Sequence, residues 1–155
     1  MPVREAGPTS LLHASPRSGA GVLPGFAMAV RSAPSSVEVA RRVTRAWGRH
    51  CRAPEPLLDI LQLVVSELCT NAVVHSRCDS FGVCGWMPAP RHVHVEVRDG
   101  TPSRIPQPQC PDTEAEGGRG LFLVECLVAE LGGDWGFTED GTCAWCSFPF
   151  PEGEQ

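Results

Sequence analysis

Glu67 and Asn71 form the first pair of residues in this sequence whose types and spacing could do chemistry. They stand four positions apart, so on a helix their side chains lie about one turn apart on the same face. A carboxylate can accept a proton, and a carboxamide can both donate and accept hydrogen bonds. The pair also fits the solvated stripe of an amphipathic helix, and on the pair alone we favour that structural interpretation.

Two later segments carry similar signals. Asp99-Gly100 follows a strand-like run, although an aspartate in that position is most often a turn former. Residues 116–121, Glu-Gly-Gly-Arg-Gly-Leu, place glycines at the start of a helix, where free N–H groups attract phosphate. Each signal is weak alone. Their order is informative: a helix with Glu and Asn, a strand ending in Asp-Gly, a long loop, a glycine-rich helix start and a closing strand that begins at Gly141-Thr142.

The elements that must position these residues can be read from apolar periodicity and turn signals. Residues 26–30 predict a short strand, and a capping box at Ser35–Glu38 predicts a helix that ends near Cys51. The remaining prediction comprises a helix from Glu55 to about Ser76, strands Ser80–Met87 and His92–Arg98, a loop from Asp99 to Gly120, a helix Leu121–Leu131 ended by Gly132-Gly133, and a hairpin of Trp135–Glu139 with Thr142–Phe150.

This order of elements predicts an α+β fold, in which helices pack on one face of a mixed, mostly antiparallel sheet in a two-layer sandwich. The loop of about 20 residues is long for a compact domain, and loops of that length are usually functional. We expect one domain over residues 26–150, a disordered tail over residues 1–25 and a short C-terminal tail over residues 151–155.

Length and composition exclude several classes of protein. A chain of 155 residues with 42% hydrophobic and 20% charged residues fits one globular domain. The net charge is −5 and the thirteen basic residues, all Arg, are scattered, so direct nucleic-acid binding is disfavoured. Charged residues and prolines interrupt the apolar segments every few positions, which argues against a membrane span. A signal peptide is disfavoured for the same reason, and we expect a cytoplasmic protein.

The eight cysteines allow a thiol or metal function to be considered. Several lie inside apolar periodic segments, where a free cysteine behaves as a small buried hydrophobe, so we expect reduced thiols. Cys143 and Cys146 have the CxxC spacing of a redox pair or of half a zinc site. A strand rich in β-forming residues explains the same segment without a metal, and we favour that interpretation.

Taken in order, these motifs resemble those of the GHKL ATPase and kinase superfamily, the Bergerat fold shared by DNA gyrase B, heat-shock chaperone ATPases and sensor histidine kinases. Residues 65–76 are similar to its N box, residues 97–100 to its first glycine box and residues 118–124 to its second. Within the superfamily, the small stand-alone anti-sigma factor serine kinases are the most similar group. The resemblance extends from Phe26 to Phe150.

The resemblance implies ATP and Mg²⁺ as ligands and a role for each matching residue. Glu67 would be the general base and Asn71 the Mg²⁺ ligand. Asp99, beside Gly100, would accept a hydrogen bond from the adenine amino group, with assistance from Thr142. The second glycine box would hold the phosphates through Gly118, Arg119, Gly120 and Leu121. His75 fits the N box, and we assign it no catalytic role and expect it to be satisfied by hydrogen bonds or partly buried.

The sequence departs from the family pattern in its first glycine box. The fuller pattern is Asp-x-Gly-x-Gly, whereas Asp99 is followed by Gly100, Thr101 and Pro102. The lid, Ser103–Glu116, is short and rich in proline, and we expect no separate phosphoacceptor-histidine domain, which argues against a complete sensor histidine kinase. The resemblance therefore implies a serine kinase that binds a sigma factor and phosphorylates an anti-sigma factor antagonist, or alternatively a nucleotide-binding module that only sequesters its partners.

The resemblance also carries the expectation of a homodimer. We expect the first strand and the first helix to contribute to it, through Val37, Val43 and Trp47.

Overall fold

A computed structural model of the chain describes residues 25–100 and 119–152. The predicted tails lie outside the described residues, except for Gly25, Pro151 and Glu152, and so does the predicted lid at residues 103–116. The described elements are β1 (Phe26–Arg31), α1 (Pro34–His50), α2 (Glu55–His75), β2 (Ser80–Ala89), β3 (His92–Arg98), α3 (Arg119–Glu130), β4 (Asp134–Phe137) and β5 (Cys143–Pro149).

The five strands form one sheet in the order β1-β2-β3-β5-β4. All four neighbouring pairs are antiparallel, so the predicted α+β sandwich is confirmed, while the sheet is antiparallel rather than mixed over the described strands. The crossover from β3 through α3 returns the chain at β4. A crossover of this kind could place β4 beside β3 as a parallel strand. Instead, β5 folds back from β4 and pairs with β3, so β5 lies between the two strands and is antiparallel to both.

Helix α2 is the central element of the helical layer, in contact with α1, α3 and the sheet. By its length and composition alone, α2 could cross a membrane. The core helix of a folded domain meets the same two criteria. Here its apolar face is packed inside the domain. The buried residues are Leu57, Leu58, Leu61, Val64, Val65, Leu68, Cys69 and Ala72.

The predicted capping box at the start of α1 is wrong. The helix begins at Pro34 with Ala33 as its N-cap, and no side chain caps it. Proline favours the first helical position because its φ angle is already helical, so Ser35 lies inside the helix instead of before it. Glu38 pairs with Arg41 and Arg42 at 3.4 and 3.2 Å rather than reaching back to the helix start.

The structure also corrects the expectation for Trp47. Its side chain is 6% exposed and packs against Phe26, with the ring centroids 5.1 Å apart. Trp47 therefore belongs to the core of this chain and offers no surface to a second copy. Val37 and Val43 are half-buried, and they remain partly accessible on α1.

Helix α3 ends as its sequence predicts. Gly132 has a φ of 67°, the left-handed conformation that a residue with a Cβ adopts at a cost. The N–H groups of Gly132 and Gly133 donate to carbonyls in the last turn of the helix, at 3.2 and 3.0 Å. The chain then enters β4, which returns it to the edge of the sheet beyond β5.

Candidate functional site

A small pocket of about 30 Å³ lies between the C-terminal half of α2 and one end of the sheet. Its volume is enough for one or two water molecules. The lining residues are Leu68, Asn71, Ala72 and His75 from α2, Val97 and Asp99 from β3 and its end, and Phe137, Gly141 and Ala144 from the closing hairpin.

Asn71 is a polar residue of α2 that lines the pocket. Its Nδ2 atom is buried and has no hydrogen-bond partner among residues 25–100 and 119–152. A buried amide that lacks a partner costs about 1–3 kcal/mol, so such groups usually serve a bound molecule. The carboxamide oxygen of the same side chain is a hard ligand of the type that Mg²⁺ prefers. Asn71 therefore fits the role of Mg²⁺ ligand that the family resemblance implies for it.

Asp99 lines the pocket directly after β3. Its backbone N–H donates to the Thr142 carbonyl at 3.0 Å, which fixes the end of β3 against the chain that enters β5. Gly100, next in sequence, is exposed and has a φ of 71°, so it turns the chain away from the sheet. The structure thus brings Asp99 and Asn71 to one pocket, as predicted, whereas Gly100 shapes the exit from it.

The predicted role of Thr142 in the pocket is not seen. Its hydroxyl donates to Asp140 Oδ1 at 2.8 Å, and Asp140 also accepts from the Thr142 N–H and from the Thr138 hydroxyl. These three hydrogen bonds lower the pKa of Asp140 from its ordinary value. The turn that they stabilise places Gly141, with a φ of 73°, in the pocket wall where the sequence predicts Thr142.

Glu67 lies one turn before Asn71 but outside the pocket lining. Its side chain is half-buried against the first turn of α3. A methyl group at Gly120 would lie 3.1 Å from the carboxyl carbon of Glu67 and would collide with its Oε2 atom. Glycine at position 120 therefore allows the carboxylate to touch the backbone of α3.

The other residues of the second glycine box have different positions. Gly118 lies outside the described residues, and of Arg119 only the helical backbone is described. Leu121 is 2% exposed and belongs to the hydrophobic core. Its side chain anchors α3 and cannot contact a ligand directly, so any contribution of Leu121 to binding comes from its backbone N–H.

Two residues of the pocket were missed by the sequence analysis as functional candidates. His75 is exposed and lines the pocket, contrary to the expected partial burial. Its position four residues after Asn71 on α2 is the signal that could have found it, because such residues share a helix face. Phe137 is the aromatic residue of the pocket lining, and no local pattern in the sequence marks it.

A polar cluster of His94, Glu96 and Arg98 lies on the face of the sheet opposite to the helices, and its first two members are buried. The His94 ring lies 4.5 Å from that of Trp86 and 5.8 Å from that of Trp145. Burial opposes ionisation of Glu96, but hydrogen bonds from His94 and Arg98 outweigh it, so the pKa of Glu96 lies below its ordinary value. The cluster occupies the C-terminal half of β3 and therefore supports the strand that ends at Asp99.

The CxxC pair does not form a thiol site. Cys143 and Cys146 lie on one strand three residues apart, so their side chains point to opposite faces of the sheet. Burial raises the pKa of the Cys146 thiol to about 12, and that of Cys143 is raised as well. Among residues 25–100 and 119–152, all seven cysteines are free and no group of three or more metal-ligating side chains comes together.

Comparison with known proteins identifies the fold that carries this pocket. The model of the histidine kinase-like ATPase domain family matches residues 30–148, which include both the pocket and the Glu67 contact. The chain belongs to this family. The predicted resemblance to the GHKL superfamily is thereby confirmed, and the arrangement of α2, β3 and α3 is that of a histidine kinase-like ATPase domain.

A solved structure supports the same assignment at the level of the fold. The histidine kinase-like domain described here is similar to the crystal structure of the RsbU and RsbW domains of Rv1364c from Mycobacterium tuberculosis. The TM-score is 0.58 at 18% sequence identity, and the match covers 81% of this chain and 32% of that chain. This chain therefore corresponds to about a third of the solved chain. No curated protein matches the sequence.

Proposed function

We propose that this protein is an ATP-binding regulator of the anti-sigma factor type, which transfers phosphate from ATP to a serine of an anti-sigma factor antagonist. Membership of the histidine kinase-like ATPase family and the fold-level likeness to a structure that contains an RsbW domain support this class of function. The sigma factor and the antagonist are its protein partners in this proposal, and the cytoplasm is its compartment.

The observation that carries the proposal is the buried Nδ2 atom of Asn71, which has no hydrogen-bond partner within the described part of the chain and lies in a pocket shared with Asp99. An acceptor on the ligand would satisfy the Asn71 amide, and the Asp99 carboxylate would accept a hydrogen bond from an adenine amino group. These two groups belong to different elements, one on α2 and one directly after β3. Together they would orient an adenine nucleotide with its base toward the sheet.

Glu67 is the residue that would take the proton in the transfer. The serine oxygen of the partner attacks the γ-phosphorus, the bond from that phosphorus to the bridging β–γ oxygen breaks, and ADP leaves. The hydroxyl proton passes to the Glu67 carboxylate. Glu67 lies one helical turn from Asn71, so the same helix would hold both the nucleotide and the base.

Mg²⁺, held through the Asn71 amide oxygen together with the nucleotide phosphates, would neutralise the charge that develops on the phosphates. The chain's own contribution is positioning. The N–H groups in the first turn of α3 would face the phosphates, since a helix start favours anions, and Arg119 and Gly120 belong to that turn.

Nucleotide binding is tested by isothermal titration of Mg-ATP into the protein, its Asn71→Ala variant and its Thr70→Ala variant. Thr70 is an exposed neighbour on α2 that does not line the pocket, so it controls for a change in the helix itself. We expect micromolar binding that Asn71→Ala weakens at least about tenfold, while Thr70→Ala has little effect. Equal binding by all three proteins would reject the proposed site.

Phosphotransfer is tested by incubating the protein with γ-labelled ATP and the candidate antagonist, with Glu67→Gln in parallel. We expect labelled phosphoserine on the antagonist, and we expect Glu67→Gln to lower the rate by about 10²–10⁴-fold, because an amide cannot take the proton. A Glu67→Gln protein that retains the full rate would show that another group is the base.

A second candidate function is a binding module that sequesters protein partners without phosphotransfer. The altered first glycine box after Asp99 favours it. Under this proposal the protein would retain its partner when ATP is absent, and no label would appear on the antagonist. The phosphotransfer assay therefore separates the two candidates.

A further inference from the structure

The contact between Glu67 and Gly120 places a carboxylate at the start of α3, and this bears on nucleotide binding apart from the proposed role of Glu67 as general base. The Glu67 carboxylate touches the backbone at the second residue of α3. The first turn of a helix presents N–H groups without partners in the helix and carries a partial positive charge, so it favours a negative group. Glu67 supplies that negative group from the chain itself.

The same turn is where the proposed function brings the terminal phosphate of ATP. Two negative groups at contact distance repel each other, and the half-buried setting of Glu67 screens that repulsion less than bulk water would. The carboxylate and the phosphate therefore cannot both occupy the first turn of α3 at low cost.

We propose that Glu67 is an ATP-operated gate, whose carboxylate competes with the terminal phosphate of ATP for the first turn of α3. This inference rests on the proposed function. ATP binding displaces the carboxylate from Gly120, and the displaced carboxylate becomes free to approach the partner's hydroxyl. The gate thus delivers the base only when a phosphate to be transferred is present.

Gly120 is the positioning residue of this gate. A side chain at position 120 would displace the carboxylate from its present position, because its Cβ would collide with Oε2 of Glu67 and lie 3.1 Å from the carboxyl carbon. Glycine thus leaves the turn accessible to both the carboxylate and the phosphate, and the ligand decides which of them occupies it.

The test is a comparison of Mg-ATP and Mg-ADP dissociation constants for the full chain, Glu67→Gln, Glu67→Ala and Glu130→Gln. Glu130 is an exposed carboxylate at the far end of α3, so Glu130→Gln removes one negative charge of the same kind without touching the contact between Glu67 and Gly120. Thermal unfolding of each variant shows that it is folded, and two substitutions at position 67 guard against a defect peculiar to one of them.

We expect both Glu67 variants to bind Mg-ATP about tenfold more tightly than the unaltered chain, the effect of removing one close like charge. Mg-ADP lacks the terminal phosphate and should gain less than about threefold, and Glu130→Gln should change neither constant. Unchanged or weaker Mg-ATP binding by the Glu67 variants would overturn the gate while leaving the nucleotide site intact. An unaltered chain that binds neither nucleotide would overturn the proposed function, and the gate with it.

Discussion

Arg98 donates two hydrogen bonds to the same oxygen of Glu96, at 3.0 Å from Nε and 2.7 Å from Nη2. The other carboxylate oxygen of Glu96 lies 3.2 Å from Nε2 of His94. Glu96 is 1% exposed, so these partners are what keeps its charge tolerable inside the protein. The pair lies immediately before Asp99, and the stability of this strand end therefore depends on the charge of Glu96.

Glu96→Gln should lower stability and change its pH dependence. Because the pKa of Glu96 is lower in the folded chain than its ordinary value, its contribution is present at neutral pH and is lost as the pH falls through the folded pKa. We expect a loss of about 1.5–3 kcal/mol in the free energy of unfolding at pH 7, with a smaller difference between variant and unaltered chain at acidic pH. Urea unfolding followed by tryptophan fluorescence from pH 7 to pH 3 measures both.

Glu139→Gln is the matched control for this experiment, since Glu139 is an exposed carboxylate in the turn between β4 and β5. It should change stability by less than about 0.5 kcal/mol at every pH. If Glu96→Gln lost stability with acid as steeply as the unaltered chain, the assigned role of the Glu96 charge would be wrong.

A double-mutant cycle tests the contact between Gly120 and Glu67 without any ligand. In the unaltered background, the methyl group of Gly120→Ala collides with the Glu67 carboxylate and makes it shift. In a Glu67→Ala background the collision is gone, and alanine should stabilise the helix by about 0.5–1 kcal/mol relative to glycine. We therefore expect Gly120→Ala to be more favourable in the second background, measured as the free energy of unfolding. Identical effects in both backgrounds would show that the two residues do not interact.

Phe137→Ala should weaken nucleotide binding. Phe137 is the aromatic side chain in the pocket lining, and an aromatic ring offers a flat apolar contact to a base. We expect the dissociation constant for Mg-ATP to rise by about tenfold, which corresponds to the loss of one such contact. Phe26→Ala, in the strand at the opposite edge of the sheet, is the control. Equal weakening by both variants would mean that general loosening, and not base contact, is responsible.

Thiol labelling should divide the cysteines by burial. Burial raises the pKa of Cys51 to about 11 and of Cys69 to about 12, so neither is a thiolate at pH 8. Cys78 and Cys126 are exposed. We expect iodoacetamide and mass spectrometry to find Cys78 and Cys126 alkylated within minutes and Cys51, Cys69 and Cys146 protected until urea is added. Rapid labelling of Cys146 in the native protein would contradict the burial of β5.

Much of the local structure could be predicted from the sequence because local signals determine it. The apolar period of α2 follows from residues three and four positions apart, and it fixes Glu67 and Asn71 one turn apart. The alternation in β3 and the Gly132-Gly133 stop signal likewise depend on neighbouring residues. The order of the three motifs was enough to predict the family, which the match over residues 30–148 confirms.

Contacts between distant segments could not be predicted in this way. The alternation of β3 is typical of a half-exposed strand, yet His94 and Glu96 are buried because Trp86 and Trp145 on neighbouring strands enclose His94. Trp47 is buried because β1 brings Phe26 onto α1. A hydrophobic pattern states which face of an element avoids water, but it does not state which element covers that face.

The same distinction between local signals and contacts of distant segments applies to the candidate site. The sequence by itself determined which residues are candidates for the chemistry, because Glu67, Asn71 and Asp99 stand in local motifs that resemble those of the family. Only the tertiary structure decided that Gly141 and Phe137 complete the pocket and that Gly120 lies against Glu67. These contacts join residues that are far apart in the sequence, and their geometry depends on how α2, α3 and the closing hairpin pack together.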